Sequence, residues 1–342
     1  MSSVSEQLQS KIRFGIIGCS SIAERVTIPA ILESKSARLQ RIGSRDSSKA
    51  KEFAKKFACR SHGVYEEVLE DDDVDAVYIS LPIGLQADMM MRAARAGKHI
   101  ICEKSATTSF AIANKVVGTC KNNQVRLLEG FSFRFHPQHR KVLSLINQKS
   151  LAKPFTLISK FLVPIKRSRS DFRFRRELGG GALNDLGCYM VCASRILFGD
   201  NPTTVNCRLF SEKHDDVDTY GTISLSFSDN RQAFGVFGYN NNFQSNYEMV
   251  CGNGSVFSRL AYNIRSKEKA VIDIRTTNKT KILSLQPANQ SLLMIDRFCA
   301  ELKGKRSSSD IFEKDLLTQA KIMEVSRVSN EEERLVNIKG FK

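Results

Sequence analysis

No stretch of this chain approaches the roughly 20 consecutive apolar residues that a membrane-crossing helix needs. The opening segment, Met1 to Ser10, is polar and lacks the apolar run of a secretory signal. These two lacks set the expectations of no membrane partner and a cytoplasmic location. No CxxC pair occurs among the nine cysteines, and the closest spacing, Cys188 with Cys192, is one helical turn. That pattern argues against a disulfide framework. Most of the other thiols, such as Cys19, Cys102 and Cys207, lie inside apolar runs and read as small core residues. His136 and His139 have no third partner at ligand spacing, so no metal is expected. Internal repeats and low-complexity tracts are also missing.

What the chain does have is length, alternation and positive charge. At 342 residues, 42% hydrophobic and 26% charged, it is long enough for two domains of ordinary size. Lys and Arg number 52 against 36 Asp and Glu, a net charge of +16. The basic residues are scattered, with one concentration from Lys160 to Arg176. Without zinc-finger spacing or a basic tail, a nucleic-acid partner is not expected. A field that attracts a phosphorylated cofactor and substrate suits the charge better.

Residues 12–18 form a short apolar run ending in glycine, which predicts a buried strand. Helical spacing over 22–34 follows, with Pro29 predicting a kink or break. Further strands are expected at 39–42, 74–81, 99–102 and 125–128, with helices at 47–57, 85–96 and 106–121 between them. Such alternation predicts βαβ units and a parallel sheet. Beyond about residue 150 the runs 156–163, 204–210, 219–227, 232–239, 247–251, 270–274 and 280–285 read as strands with few helices between, closed by helices at 292–302 and 311–326. The expected fold class is therefore α/β. A doubly wound Rossmann domain over 1–130 precedes an α+β domain over 131–342, built on a large, mainly antiparallel sheet.

The first strand runs into Gly18-Cys19-Ser20-Ser21-Ile22-Ala23 and a helix. A dinucleotide turn wants glycine first for the tight bend, glycine again for approach to the pyrophosphate, and a small third residue for packing. Gly18 and Ala23 fit, while Ser20 replaces the second glycine and brings an amide and a hydroxyl in its stead. After the second strand come Ser44, Arg45 and Lys49, where an NAD site usually has an acidic residue. A hydroxyl and two cations suit a 2′-phosphate, so NADPH or NADP+ is expected over NAD. Asp46 as a helix cap is the plainer use of the same segment.

Five segments in order resemble the Gfo/Idh/MocA oxidoreductases: Gly15–Ala23 with Pro29-Ala30, Asp73–Ile79 with Leu81-Pro82, Ala96–Lys104, Glu129–Gln138, and Gly179–Tyr189. The resemblance implies a Rossmann domain, an open-faced sheet domain, a nicotinamide between them, and homodimers or homotetramers formed through the sheet. It implies that Leu81, Pro82, Gln86, Glu103 and Lys104 serve the cofactor. Lys104 corresponds to the lysine of the family's Glu-Lys-Pro motif, Tyr189 to the proton donor, and Asp185 to the aspartate one turn earlier. Ser105 departs from that motif's proline, which is expected to loosen the loop. Ile83 and Gln86 stand where the family often has asparagine and histidine.

The chemistry agrees with those assignments. Hydride transfer to a ketone leaves negative charge on oxygen, which needs an acid. A tyrosine near pKa 10 needs a cation to favour its phenolate, and Lys104 is the candidate. Asp185 and Tyr189, four apart, would share a helix face, leaving Asp185 to hold a substrate hydroxyl or to orient Lys104. Gly179-Gly180-Gly181 allows close backbone approach. Arg134 and Arg173, the latter in a run where Phe172 and Phe174 alternate with arginines as in an extended segment, are candidates for a sugar or nucleotide-sugar diphosphate. The expected activity is NADPH-dependent reduction of a keto-sugar, at the C3 carbonyl of a nucleotide-linked deoxysugar. NADP-dependent aldose, polyol or dihydrodiol oxidation stands as the alternative. A non-catalytic NADPH-binding regulator is the reading of another class.

Overall fold

The computed structural model describes residues 11–147, 151–168, 170–213, 215–239, 242–304 and 311–341. The polar segment Met1–Ser10 lies outside them. Contacts divide the chain into two units: Met1–Thr107, Ala111–Ser132 and Ser291–Leu317 in the first, and Thr108–Phe110, Phe133–Gln290 and Thr318–Lys342 in the second.

In the first unit, β1 (Ile12–Ile17), α1 (Ile28–Glu33), β2 (Ala37–Gly43), α2 (Ser47–Lys56), β3 (Ser61–Gly63), α3 (Tyr65–Leu69), β4 (Ala76–Ile79), α4 (Ile83–Arg95), β5 (His99–Cys102), α5 (Phe110–Asn122) and β6 (Leu127–Glu129) alternate. The sheet order is β3-β2-β1-β4-β5-β6, parallel at every pairing. All four residues of β4 are buried, as strands covered on both faces must be. After β3 the chain crosses back over β1 to place β4 on its other side. That reversal makes the C-terminal ends of β1 and β4 the place where an open α/β sheet binds ligand.

The expected helix over 22–34 forms over 21–33, with a π turn inside it. Ala23–Thr27 form a π turn in which the Ile28 N–H donates to the Ala23 carbonyl. The α-helical ladder resumes at Ile28 without leaving helical geometry, so Pro29 directly follows the π turn inside one helix, the kind of irregularity that accompanies a proline. Asp46 caps α2 by accepting from the N–H groups of Ser48 at 2.9 Å and Lys49 at 3.3 Å. The three-residue β3 and the five-residue α3 were not expected, because such short elements have no measurable period.

The second unit holds α6 (Pro137–Ile146), β7 (Pro154–Val163), α7 (Cys188–Phe198), β8 (Thr204–Phe210), β9 (Tyr220–Ser226), β10 (Gln232–Tyr239), β11 (Gln244–Cys251), β12 (Gly254–Ser258), β13 (Ala270–Thr276) and β14 (Lys279–Leu285). After them come α8 (Gln290–Leu302), α9 (Ile311–Glu331) and β15 (Val336–Asn337). Its nine-stranded sheet runs β14-β13-β12-β11-β7-β10-β9-β8-β15, antiparallel except for β7 against β10. Strict alternation in β11 turns Tyr247, Met249 and Cys251 inward. On the other face Phe234 stands beside Ile158, and both are exposed, as is Val236.

Helix α8 groups with the first unit, although a cut after residue 130 leaves it in the second. Its Phe298 ring meets Phe14 of β1 at 6.5 Å, and its Asp296 accepts from the Ser34 hydroxyl at 2.5 Å. Its apolar face covers the parallel sheet, and sequence order gives no sign of that return. No described helix is long and apolar enough to cross a membrane.

Candidate active site

The turn after β1 is shaped by one backbone angle. Gly18 has φ +103°, and a Cβ there would lie 2.8 Å from the Ser80 carbonyl oxygen and 3.0 Å from Leu81 Cδ2. Only glycine fits. Ser20, at the second-glycine position, donates its hydroxyl to Ser80 Oγ at 2.9 Å and accepts from the Ala23 N–H at 3.1 Å. Ser80 in turn donates to the Gly18 carbonyl at 3.0 Å. The serine hydroxyl expected to reach for a phosphate instead ties the turn to the end of β4. Cys19 is buried, and burial pushes its thiol up to about 11, so it is an inert packing residue here. Ser21 and Ile22 are exposed beside it.

At the end of β2, Ser44 is buried and its hydroxyl accepts from the Asp46 N–H at 3.2 Å. Arg45 and Lys49 are both exposed. Asp46 takes the capping role anticipated as the plainer use of the segment, and it does so without occupying either cation.

Lys104 follows β5 on a loop held at several points within its own unit. Tyr78, wholly buried in β4, donates to Glu103 Oε1 at 2.5 Å. Gln86 Nε2 donates to the Ser105 carbonyl at 3.4 Å, while its Oε1 accepts from the Cys102 thiol. Glu129 Oε1 accepts from the Ala106 N–H at 2.8 Å, and the Gly130 N–H donates to the Cys102 carbonyl at 2.7 Å. One expectation changes as a result. The loop without its proline is pinned rather than loose. Gln86, only 1% exposed, directs its amide to that loop, a use the sequence did not foresee. Leu81 and Pro82 are half-buried at the end of β4, beside the Gly18 turn.

In the second unit the glycine run precedes a π turn, Leu183–Gly187, that leads into α7. A Cβ on Gly180 would fall 2.5 Å from the Arg173 carbonyl oxygen. Gly181, at φ +115°, would press 2.4 Å against Asp218 Oδ1. These glycines therefore let the chain approach itself, whatever they allow a substrate. Asn184 Nδ2 donates to the Gly179 carbonyl at 3.0 Å, and Asn184 Oδ1 accepts from Arg327 at 2.5 Å. Asp218 receives the Leu183 N–H at 2.5 Å, and burial holds its carboxyl above the usual range.

Asp185 lies inside the π turn and Tyr189 in the first turn of α7. The Asp185 carboxylate accepts from Arg173 Nε at 3.0 Å and from the Tyr239 hydroxyl at 3.4 Å. Tyr189 packs its ring against Phe161 at 4.9 Å, Tyr262 at 5.3 Å and Phe133 at 5.4 Å. Behind these rings His139 Nδ1 pairs with the Tyr247 hydroxyl at 2.9 Å, and the Ser159 and Tyr262 hydroxyls bond each other.

Arg173 also pairs with Asp171 at 3.1 Å, so its guanidinium is already answered by two carboxylates. Through its Nε it holds the Asp185 carboxylate. The segment around it forms two 3-10 turns, Phe172–Phe174 and Arg176–Leu178, where an extended run was expected; Asp171 caps the first through the Arg173 N–H. Arg134 is half-buried on the 3-10 turn Ser132–Phe135. Sequence reasoning missed Ser80, Tyr78, Glu129, Tyr239 and Tyr262. Ser80 and Tyr78 sit next to the Leu81-Pro82 motif and were within reach of strand-end logic. The others depend on long-range pairing that leaves no local mark.

Comparison with known proteins adds the following. A profile described as an oxidoreductase family with an NAD-binding Rossmann fold matches residues 12–131, and a GFO/IDH/MocA C-terminal domain matches 139–257. The dTDP-3,4-didehydro-2,6-dideoxy-alpha-D-glucose 3-reductase of Actinomadura kijaniata is 31% identical over 317 residues, 92% of this chain and 95% of that protein. The D-xylose 1-dehydrogenase (NADP(+)) 2 of Haloferax volcanii is 29% identical over 83% of this chain and 87% of its own. A crystal structure of a 3-ketoreductase from A. kijaniata in complex with NADP and TDP-benzene superposes with a TM-score of 0.89 at 29% identity, covering 94% of this chain and 98% of that one.

Proposed function

The chain belongs to the Gfo/Idh/MocA oxidoreductases, and from that premise we propose that it uses NADPH to reduce the C3 carbonyl of a nucleotide-linked deoxysugar. It is an NADP(H)-dependent oxidoreductase of sugar-related carbonyl or hydroxyl groups. The finer assignment is supported above all by likeness along nearly the whole chain to the A. kijaniata 3-reductase and 3-ketoreductase.

The cofactor's pyrophosphate goes to the Gly18–Ile22 turn. The exposed Arg45 and Lys49 take its 2′-phosphate through charge-assisted bonds, with Ser44 shaping that corner. The bound dinucleotide supplies hydride. Tyr189 supplies the proton to the carbonyl oxygen, and Lys104 supplies the positive charge that favours its phenolate. Asp185, oriented by Arg173 and Tyr239, takes a substrate hydroxyl. Arg134 is a candidate for the diphosphate. The exposed Ile158, Phe234 and Val236 support pairing of copies through the second sheet, as a homodimer or homotetramer.

A second reading, oxidation of a free aldose with NADP+, is favoured by the likeness to the H. volcanii xylose dehydrogenase. Following NADPH consumption with a dTDP-linked 3-keto-6-deoxyhexose against NADP+ reduction with free xylose separates the two. Tyr189→Phe is expected to lower turnover by about 10²-fold or more while NADPH still binds. A loss well below about tenfold would sink the proton-donor assignment, whereas a native chain that binds NADPH but turns over neither substrate would leave a non-catalytic NADPH-binding regulator.

A further inference from the structure

A lysine side chain has four rotatable carbons, so its backbone decides where its ammonium can reach. In this chain the residue after Lys104 is Ser105, so no proline ring restricts the loop there. Two buried side chains grip that loop on either side of the lysine. Tyr78, from the adjacent strand β4, donates to Glu103 one residue before it. Glu129, the last residue of β6, accepts from the Ala106 N–H two residues after it. Both grips run from rigid strands of one parallel sheet, and both are nearly closed to solvent, Tyr78 at 0% and Glu129 at 6% exposure. Burial and the Glu103 and Glu129 carboxylates together hold the Cys102 thiol well above its ordinary range, which marks both carboxylates as near neighbours of the same strand end.

We propose that Tyr78 and Glu129 are positioning residues that fix the Lys104 ammonium for the reaction, doing by side-chain hydrogen bonds what a proline ring after the lysine would do by covalent restraint. The inference rests on the catalytic role given to Lys104 above. Neither residue touches substrate in this scheme, so the effect of either on catalysis is transmitted through the lysine. Small displacements suffice, since misplacing a reacting group by about 1 Å costs on the order of 10²-fold in rate.

The test is a double-mutant cycle on the full chain, read by NADPH oxidation with a dTDP-linked 3-keto-6-deoxyhexose and by NADPH fluorescence titration. Tyr78→Phe removes a single hydroxyl, and Glu129→Gln keeps an acceptor oxygen but loses the carboxylate. Each is expected to lower kcat by about fivefold to tenfold, with the NADPH Kd moving less than about twofold, as expected when an interaction made only in the transition state is lost. In a Lys104→Ala background both losses should vanish, since there is no ammonium left to misplace. Equal losses with and without Lys104, or no loss from Tyr78→Phe in the native background, overturn the inference. If Glu129→Gln does not fold, Tyr78→Phe carries the test alone. Full turnover in Lys104→Ala by itself would overturn the catalytic role of that lysine and this inference with it. An impaired Lys104→Ala beside an unimpaired Tyr78→Phe overturns only the inference.

Discussion

Lys104 and Tyr189 are held by opposite physics. The lysine rides on a loop fixed by discrete polar bonds from Tyr78, Gln86 and Glu129. The tyrosine is wedged among the rings of Phe133, Phe161 and Tyr262. Hydrogen bonds set direction and fail one at a time, each contributing about 1 kcal/mol net. Ring packing sets volume, contributes several kcal/mol per buried ring, and fails collectively. The first unit is therefore expected to lose function from small polar changes that hardly move its stability. The second should lose both together.

Tyr262→Ala tests that contrast hardest. Removing this fully buried ring is expected to cost about 3–5 kcal/mol, to lower Tm in a thermal melt, and to depress turnover at the same time. Tyr262→Phe keeps the ring, loses only the bond to Ser159, and should cost about 1 kcal/mol. Equal damage from both would show that the hydroxyl, not the packing, places Tyr189.

Gly18→Ala comes next. With φ at +103° and a carbonyl oxygen 2.8 Å from the new Cβ, the turn should lose about 1–3 kcal/mol and NADPH affinity should fall by more than about tenfold in a fluorescence titration. Unchanged affinity would remove the dinucleotide from this turn.

The buried imidazoles of the second unit give a pH test. Burial pushes His136 down to about 4 and His139 down to about 3, from the ordinary 6.5. Above pH 6.5 the folded and unfolded chains are both neutral at these sites, and the stability is whole. As pH falls below 6.5 the unfolded chain takes up protons that the folded one refuses, so stability declines toward the folded values. The limiting slope is about 1.4 kcal/mol per pH unit per histidine. His136 also caps α6, accepting from the Gln138 N–H at 3.2 Å. His136→Asn, which keeps a capping acceptor, should flatten the fall of Tm between pH 6.5 and 5. An unchanged slope would show that other groups drive it.

The smallest effect belongs to Arg45→Ala. The side chain is exposed, so stability should stay within about 0.5 kcal/mol, while KM for NADPH rises about tenfold and KM for NADH hardly moves. Parallel changes in both would take the 2′-phosphate away from this residue.

The first sheet was legible because each of its longer strands is a short apolar run bounded by glycine, proline or charge, and each longer helix has its own period. The turn at Gly18 followed from strand-end logic, whereas the lysine at the end of β5 was picked out by the family resemblance. The antiparallel character of the second sheet was legible too, but β12 and β15 were not, being short pieces whose pairing is set by distant partners. The π turn before α7 escaped for a different reason. Its sequence, Leu183–Gly187, carries Asn, Asp and Gly, weak helix formers that mark an irregularity without saying which kind, and Gly187 lies against the Phe237 ring, with 3.1 Å between that ring and a hypothetical Cβ.

Periodicity, turn residues and charge, all local properties, determined by themselves a nucleotide-binding α/β unit followed by an antiparallel sheet, while Lys104, Asp185 and Tyr189 were singled out by the resemblance of five segments to a known family. Tertiary structure alone decided that Ser20 binds Ser80, that Gln86 and Glu129 serve the lysine loop, that Arg173 answers Asp185, and that α8 returns to the first unit. A hydrogen bond or a ring contact between residues tens or hundreds of positions apart depends on where the chain brings them, and one-dimensional spacing carries no measure of that distance.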